Sequence, residues 1–188
     1  IREIQFNQVK KILTKFLGSH IKNIIFIGHH PIIECRSKNS KELFKPLNDL
    51  KDFFKKISDY IIAEKIIYLC ADTHFYQKGN VTINKQVKDI IIEQHIVGTG
   101  GTSCDTICQN NTNYISVLGD LNYNIIDQKQ EYGYLKYENH EFEFVEVPFK
   151  LAYYTKINGE IKVSDDVNFK DTSKLCQKGG CRKYKIIY

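Results

Sequence analysis

Apolar positions along residues 3–17 fall at Ile4, Val9, Ile12, Leu13, Phe16 and Leu17. That spacing is close to the helical period and predicts a helix, with Gly18 as its stop. Two later runs have a different pattern. Ile24-Ile25-Phe26-Ile27-Gly28-His29-His30-Pro31 and Lys65-Ile66-Ile67-Tyr68-Leu69-Cys70-Ala71-Asp72-Thr73-His74 each begin as a nearly unbroken apolar block. Each then ends abruptly in small and metal-capable residues. Such a block predicts a strand buried on both faces, as in a mostly parallel sheet. Strands are therefore expected at 23–28 and 65–70. Between them, residues 35–45 are polar and rich in Lys and Ser, which predicts a surface loop. Residues 46–63 predict an amphipathic helix, with Pro46 near its first turn. A strand–helix–strand crossover of this kind sets the two strand ends side by side.

The pattern changes downstream. Val81-Thr82-Ile83 predicts a short strand after a turn at Gly79-Asn80, and residues 89–97 predict another apolar strand. Residues 98–113, rich in Gly, Thr, Ser, Cys and Asn, read as a loop, and Gly119-Asp120-Leu121-Asn122 as a turn. Residues 132–137 and 142–147 alternate apolar and polar side chains, the mark of an antiparallel pair joined near Asn139-His140. Residues 151–157 and 160–163 predict a second hairpin, turning at Asn158-Gly159. The resulting fold class is α/β: strand–helix–strand crossovers followed by antiparallel strands. Residues 1–163 are expected to form the domain and residues 164–188 a Lys- and Cys-rich tail.

Composition narrows the function classes. The chain has 188 residues, enough for one domain with a core. Its formal net charge is +5, with arginine only at Arg2, Arg36 and Arg182. Nucleic-acid binders show a more basic balance with clustered arginine, so that partner class is disfavoured. A modest positive field suits attraction of a phosphate ester. No apolar run approaches the roughly 18 residues needed to span a bilayer. Methionine is absent and the first residue is Ile1, so the chain is expected to be part of a longer product. No targeting segment is visible, and the compartment is left open, with a lean towards cytoplasm or virion over secretion.

The two strand-end motifs resemble the C-terminal half of the calcineurin-like metallophosphoesterases, and among them the purple acid phosphatases. That family ends one strand with Gly-His-x-Pro and a later one with Gly-His-x-His. Gly28-His29-His30-Pro31 matches the first motif. Ala71-Asp72-Thr73-His74 stands in place of the second, with Asp72 where the family has a histidine. His95-Ile96-Val97-Gly98-Thr99-Gly100-Gly101 and Tyr132-Gly133-Tyr134-Leu135-Lys136-Tyr137 resemble the later strands of the family. The resemblance spans roughly residues 1–147.

This resemblance implies half of a metallophosphoesterase-type α/β sandwich. It also implies a phosphatase that hydrolyses phosphomonoesters through a dinuclear centre of Fe, Zn or Mn. His29, Asp72 and His74 are the implied metal ligands. His30, which extended backbone would point away from His29, is the candidate proton donor to the leaving alkoxide. A carboxylate at 72 would move metal preference towards Mn or Mg. None of the family's earlier motifs, Asp-x-His, Gly-Asp-x-x-Asp and Gly-Asn-His, precedes Gly28-His29-His30-Pro31. The remaining ligands are thus expected from a missing N-terminal half, in this chain or another, and these residues alone are expected to be inactive. The competing expectation is a non-catalytic structural or interaction protein that keeps the scaffold. Two cysteine pairs, Cys104/Cys108 and Cys176/Cys181, are expected as disulfides within each pair, a four-thiolate zinc site being the alternative.

Overall fold

The structure, a computed structural model, describes residues 3–38, 41–99, 105–108, 114–147, 150–157, 160–164 and 184–187. Its contacts divide into two units, Ile1–Glu146 and Val147–Tyr188. In the second unit β11 (Lys150–Ile157) pairs antiparallel with β12 (Glu160–Ser164) and with β13 (Tyr184–Ile187). The expected hairpin is therefore present, and a strand of the expected tail joins it.

The first unit is mixed α/β. A helix α1 (Glu3–Thr14) leads into β1 (Ile21–Ile27). Next come β2 (Ile33–Lys38), β3 (Lys41–Pro46), α2 (Asn48–Ile57) and β4 (Ala63–Cys70). Then follow β5 (Tyr76–Ile83), β6 (Ile90–Val97), β7 (Tyr114–Leu118), β8 (Leu121–Lys129), β9 (Gly133–Glu138) and β10 (Glu141–Glu146). Six strands form one sheet in the order β1-β4-β6-β5-β8-β7. The β1, β4 and β6 strands run parallel, and β5, β8 and β7 continue antiparallel. The predicted crossover is thus present: β1 and β4 are parallel neighbours with α2 between them in sequence.

Strand alternation sorts the sheet into two faces. Ile66, Tyr68 and Cys70 of β4 share a face with Ile92, Gln94 and Ile96 of β6, which they pair across the ladder. Against this face packs α2, whose Leu50, Phe53, Phe54 and Ile57 repeat at helical spacing; Phe54 and Ile57 are fully buried. The opposite face is covered by the β9–β10 hairpin: Phe144 stacks on Tyr76 with centroids 4.3 Å apart, and Phe142 lies 5.4 Å from the buried His95 ring. The expectation that β1 is buried on both faces is corrected: it is the end strand of the sheet, with no neighbour on its outer side among the described residues, none of its residues is fully buried, and Ile27 is 81% exposed.

Three further expectations are corrected. Residues 35–45 are not a loop: β2 and β3 form an antiparallel hairpin through this segment. A polar run reads as solvated, but here Glu34 and Arg36 neutralise one another, so β2 can be buried. Gly79-Asn80 is no turn either. It lies inside β5, where the Tyr123 ring from β8 closes over Gly79 at a register shift, and a Cβ would lie 2.6 Å from that ring. Finally, Cys108 is bonded to Cys35, 73 residues away, and not to Cys104. Both sulfurs are buried, and spacing along the chain carried no sign of a tertiary pairing. Cys104, Cys176 and Cys181 lie outside the described residues. The Gly119-Asp120 turn between β7 and β8 is present as expected, with Gly119 at φ 65°.

Between His30 and β3 the chain crosses the buried face of the sheet, so its inward backbone groups have no strand beside them. Two glutamines supply the partners. Gln94 accepts from the Ile32 N–H at 2.7 Å and donates to the Ile33 carbonyl at 2.6 Å. Gln77 accepts from the Cys35 N–H at 3.2 Å and donates to the Cys35 carbonyl at 3.3 Å. Replacing Gln94 by Leu orphans two buried backbone groups. The expected loss is roughly 2–4 kcal/mol, read from the urea midpoint; a loss under about 0.5 kcal/mol would show that these bonds do not hold the segment.

Glu93, on the opposite face, is pushed up by burial but held down more strongly by hydrogen bonds from His95 and Lys65 and by nearby Lys78, so that it falls from 4.5 to about 2. A lowered carboxyl contributes stability that is present above about 4.5 and is lost as pH falls through about 2. The stability gap between wild type and Glu93→Gln should therefore narrow between about pH 6 and about pH 3. A gap that stays constant over that range would contradict the assignment.

Candidate functional site

The β1–β4 ladder continues past both strands. Gly28 donates to the Leu69 carbonyl at 2.9 Å, and Ala71 donates to the His29 carbonyl at 2.9 Å. These bonds bring the two strand-end motifs into direct register. Open α/β sheets place ligands at such carboxyl ends. The chain then bends at His29 and His30. Because the backbone is no longer extended, the two rings do not point apart. They lie 4.8 Å apart, edge to face, and both reach Asp72. His29 Nε2 is 3.4 Å from Asp72 Oδ1, and His30 Nδ1 is 3.1 Å from Asp72 Oδ2.

Asp72 adopts φ 66°, a left-handed conformation that aspartate tolerates better than most residues. The turn aims its carboxylate back over β1. Its carboxyl is lowered from the usual range, first by the hydrogen bond to His30 and then by the His30, His29 and Arg36 charges, against an opposing push from burial. Among the described residues, His29, His30 and Asp72 form the group whose ligand atoms all lie within 4.8 Å of one another.

That donor set fits a cation. Two imidazoles and one carboxylate are a common three-ligand set that leaves a position open for water. Ligand atoms at about 2.2 Å from one ion stand at most about 4.4 Å apart, so the cluster closes with a small rotation of the exposed rings. The side chains of His29 and His30 are 68% and 58% exposed, which leaves them reachable.

His74 goes elsewhere. Its N–H donates to Asp105 Oδ2 at 3.0 Å and its ring Nδ1 is 3.9 Å from the same oxygen. It is not part of the His29–His30–Asp72 group. The structure thus brings His29 and Asp72 together with His30 and places His74 beside Asp105.

Four residues that sequence reasoning missed hold the site in place. Thr73 donates a short hydrogen bond to Glu34, which is buried at 2% exposure. Arg36 pairs with Glu34 at 2.9 Å, donates to Thr73 at 3.3 Å and lies 3.7 Å from Asp105. Tyr68 donates to the His30 carbonyl at 2.7 Å. A buried carboxylate must be paired. Glu34, Arg36 and Asp105 therefore fix the 72–74 turn from behind, and Tyr68 fixes the 29–30 bend from below. The signal that would have found Glu34 is an acid set two residues from an arginine inside an otherwise apolar stretch. Nothing in the sequence pointed to Asp105.

Two glycines permit close approach here. A side chain at Gly98 would strike the Thr73 carbonyl, and one at Gly28 the Tyr68 hydroxyl. His95 is fully buried next to Glu93, at 2.9 Å. His20 and His140 are exposed. No helix among the described residues is long and apolar enough to cross a membrane. No protein-family description, curated protein or solved structure matches the chain.

Gly28→Ala should push the Tyr68 hydroxyl off the His30 carbonyl at an expected cost of roughly 1–3 kcal/mol. Pairing it with Tyr68→Phe should recover part of that loss, because the clashing oxygen is gone. Additive effects in the double mutant would refute the contact.

Proposed function

We propose that this chain carries part of the active site of a metal-dependent phosphoesterase of the calcineurin-like type, resembling the purple acid phosphatases. The observation that carries this reading is the convergence of His29, His30 and Asp72 at the carboxyl ends of two adjacent parallel strands. The mixed sheet, with helices on one face and a hairpin on the other, is compatible with half of the sandwich that the resemblance implies.

His29 and Asp72 would hold one ion of the Fe, Zn or Mn group. Such an ion polarises a phosphoryl oxygen and yields hydroxide near neutral pH. In this reading His74, beside Asp105, belongs to the second ion. His30 takes one of two roles, a third ligand or the donor to the leaving alkoxide; its 3.1 Å bond to Asp72 keeps it oriented for either. Ligand counting supports a contribution from a further segment or chain. Three or four donors split between two ions fall short of the usual three per catalytic ion, and no bridging carboxylate is among them. The outer side of β1, unpaired among the described residues, and the exposed Ile27 support the same conclusion. The buried Cys35–Cys108 bond supports folding in an oxidising compartment over the cytoplasm.

A second reading, a binding or structural protein on the same scaffold, draws on one observation: both Asp72 oxygens are already engaged by histidines.

Calorimetric titration with Mn2+ and Zn2+ separates the two readings. Asp72→Asn keeps the left-handed turn, so its unfolding midpoint should match wild type while metal affinity drops at least about tenfold. Equal affinity in both proteins would show that Asp72 is no ligand and would favour the binding-protein reading. A chromogenic phosphomonoester should be turned over only when the complementing segment is present.

A further inference from the structure

A cleft of about 640 Å3 opens beside the histidine pair, within the size range of small-molecule sites. It lies between α1, α2 and the end of β1, and its walls include Val9, Phe26, Leu47, Leu50, Phe53 and Phe54. The aromatic wall is preorganised: Phe54 meets Phe26 and Tyr68 at 5.3 Å and Phe53 at 5.4 Å, each edge to face. The Tyr68 hydroxyl is committed to the His30 carbonyl, so the ring is what the cleft presents. Away from the histidines, Gln5 and Asp49 are the polar side chains of the lining. His29 and His30 line the same cleft and also reach Asp72, so the apolar space runs directly into the candidate ligand cluster.

We propose that this cleft binds the organic group of the ester, and that the substrates are phosphomonoesters of a phenol or a similarly compact apolar alcohol. The proposal rests on the phosphoesterase reading above. Apolar walls stabilise a ring by removing its surface from water. They give sugar hydroxyls few partners, and desolvating those hydroxyls is costly. The Asp49 carboxylate disfavours a second anionic group on the ligand, which sets nucleotides and bisphosphates at a disadvantage. The phosphate end falls to His29 and His30, where imidazole N–H groups and a bound cation favour negative charge.

The test is calorimetric titration of the full chain with phenyl phosphate, methyl phosphate, inorganic phosphate and 2-naphthol, each in the presence of Mn2+. Phenyl phosphate should bind at least about tenfold tighter than methyl phosphate, the discrimination an apolar pocket readily gives. Val9→Phe, which fills the cleft, and Leu50→Gln, which makes it polar, should each bring that ratio towards one. They act from different helices, and circular dichroism verifies that each is folded. Equal binding of phenyl and methyl phosphate would overturn this inference and leave the phosphoesterase reading standing. Binding of 2-naphthol with no binding of any phosphate would overturn both, leaving an apolar-ligand site. Phenyl phosphate binding that weakens with rising protein concentration, as the chain sediments as a dimer, would show that a second copy fills the cleft, and the proposal would fall.

Discussion

The buried backbone of the segment that leaves His30 has to find hydrogen-bond partners, and the way it does so organises the first unit. A chain crossing the face of a sheet cannot use the ladder, and each orphaned polar group would cost about 1–3 kcal/mol. Gln94 and Gln77 act as surrogate strands, each engaging a backbone N–H and a carbonyl of the crossing segment. Gln77 is itself positioned by the Tyr123 hydroxyl at 3.0 Å. From this anchoring follow the path of β2, the bend at His29 and His30, and the placement of Glu34 beneath the 72–74 turn.

The site is consequently built on rigid supports, although its own side chains are open to solvent. The two histidines follow β1, the aspartate follows β4, and the ladder between them extends to the last residues before the turn. Glu34 and Arg36 extend the support to Thr73 and Asp105. The Cys35–Cys108 bond closes a separation of 73 residues and ties the 105–108 segment to β2. In the chain-entropy account a loop of that size contributes roughly 4 kcal/mol. Asp105 therefore reaches His74 and Arg36 from a segment held covalently.

Exposure and support divide the chemistry. Cys70 and Tyr68 are pushed up by burial and stay protonated near neutral pH, so they serve packing and hydrogen bonding. Asp72 is lowered and ionised, and it stands where incoming ligands have access. The apolar cleft between the helices reaches the same corner, which places a charged cluster and a hydrophobic wall within one ligand's length.

The amino-acid sequence by itself determined the elements whose pattern is local. These are α1, α2, the strands β1, β4 and β6, the β9–β10 hairpin, and the parallel crossover that sets His29 near Asp72. Periodicity and strand-end chemistry carry that information because each residue's face is set by its own neighbours in the chain. Tertiary structure alone decided the rest. Residues 35–45 look solvated until Glu34 finds Arg36 and Thr73. Gly79 looks like a turn until Tyr123 covers it, and Cys108 looks paired with Cys104 until the fold brings Cys35 to it. His30 joins Asp72 and His74 departs to Asp105 because a bend and a left-handed residue redirect side chains that strand alternation would have placed otherwise. Arg36 apart, the deciding partners (Thr73, Tyr123, Cys35, Asp72 and Asp105) lie tens of residues away, and no local pattern encodes a distance of that kind.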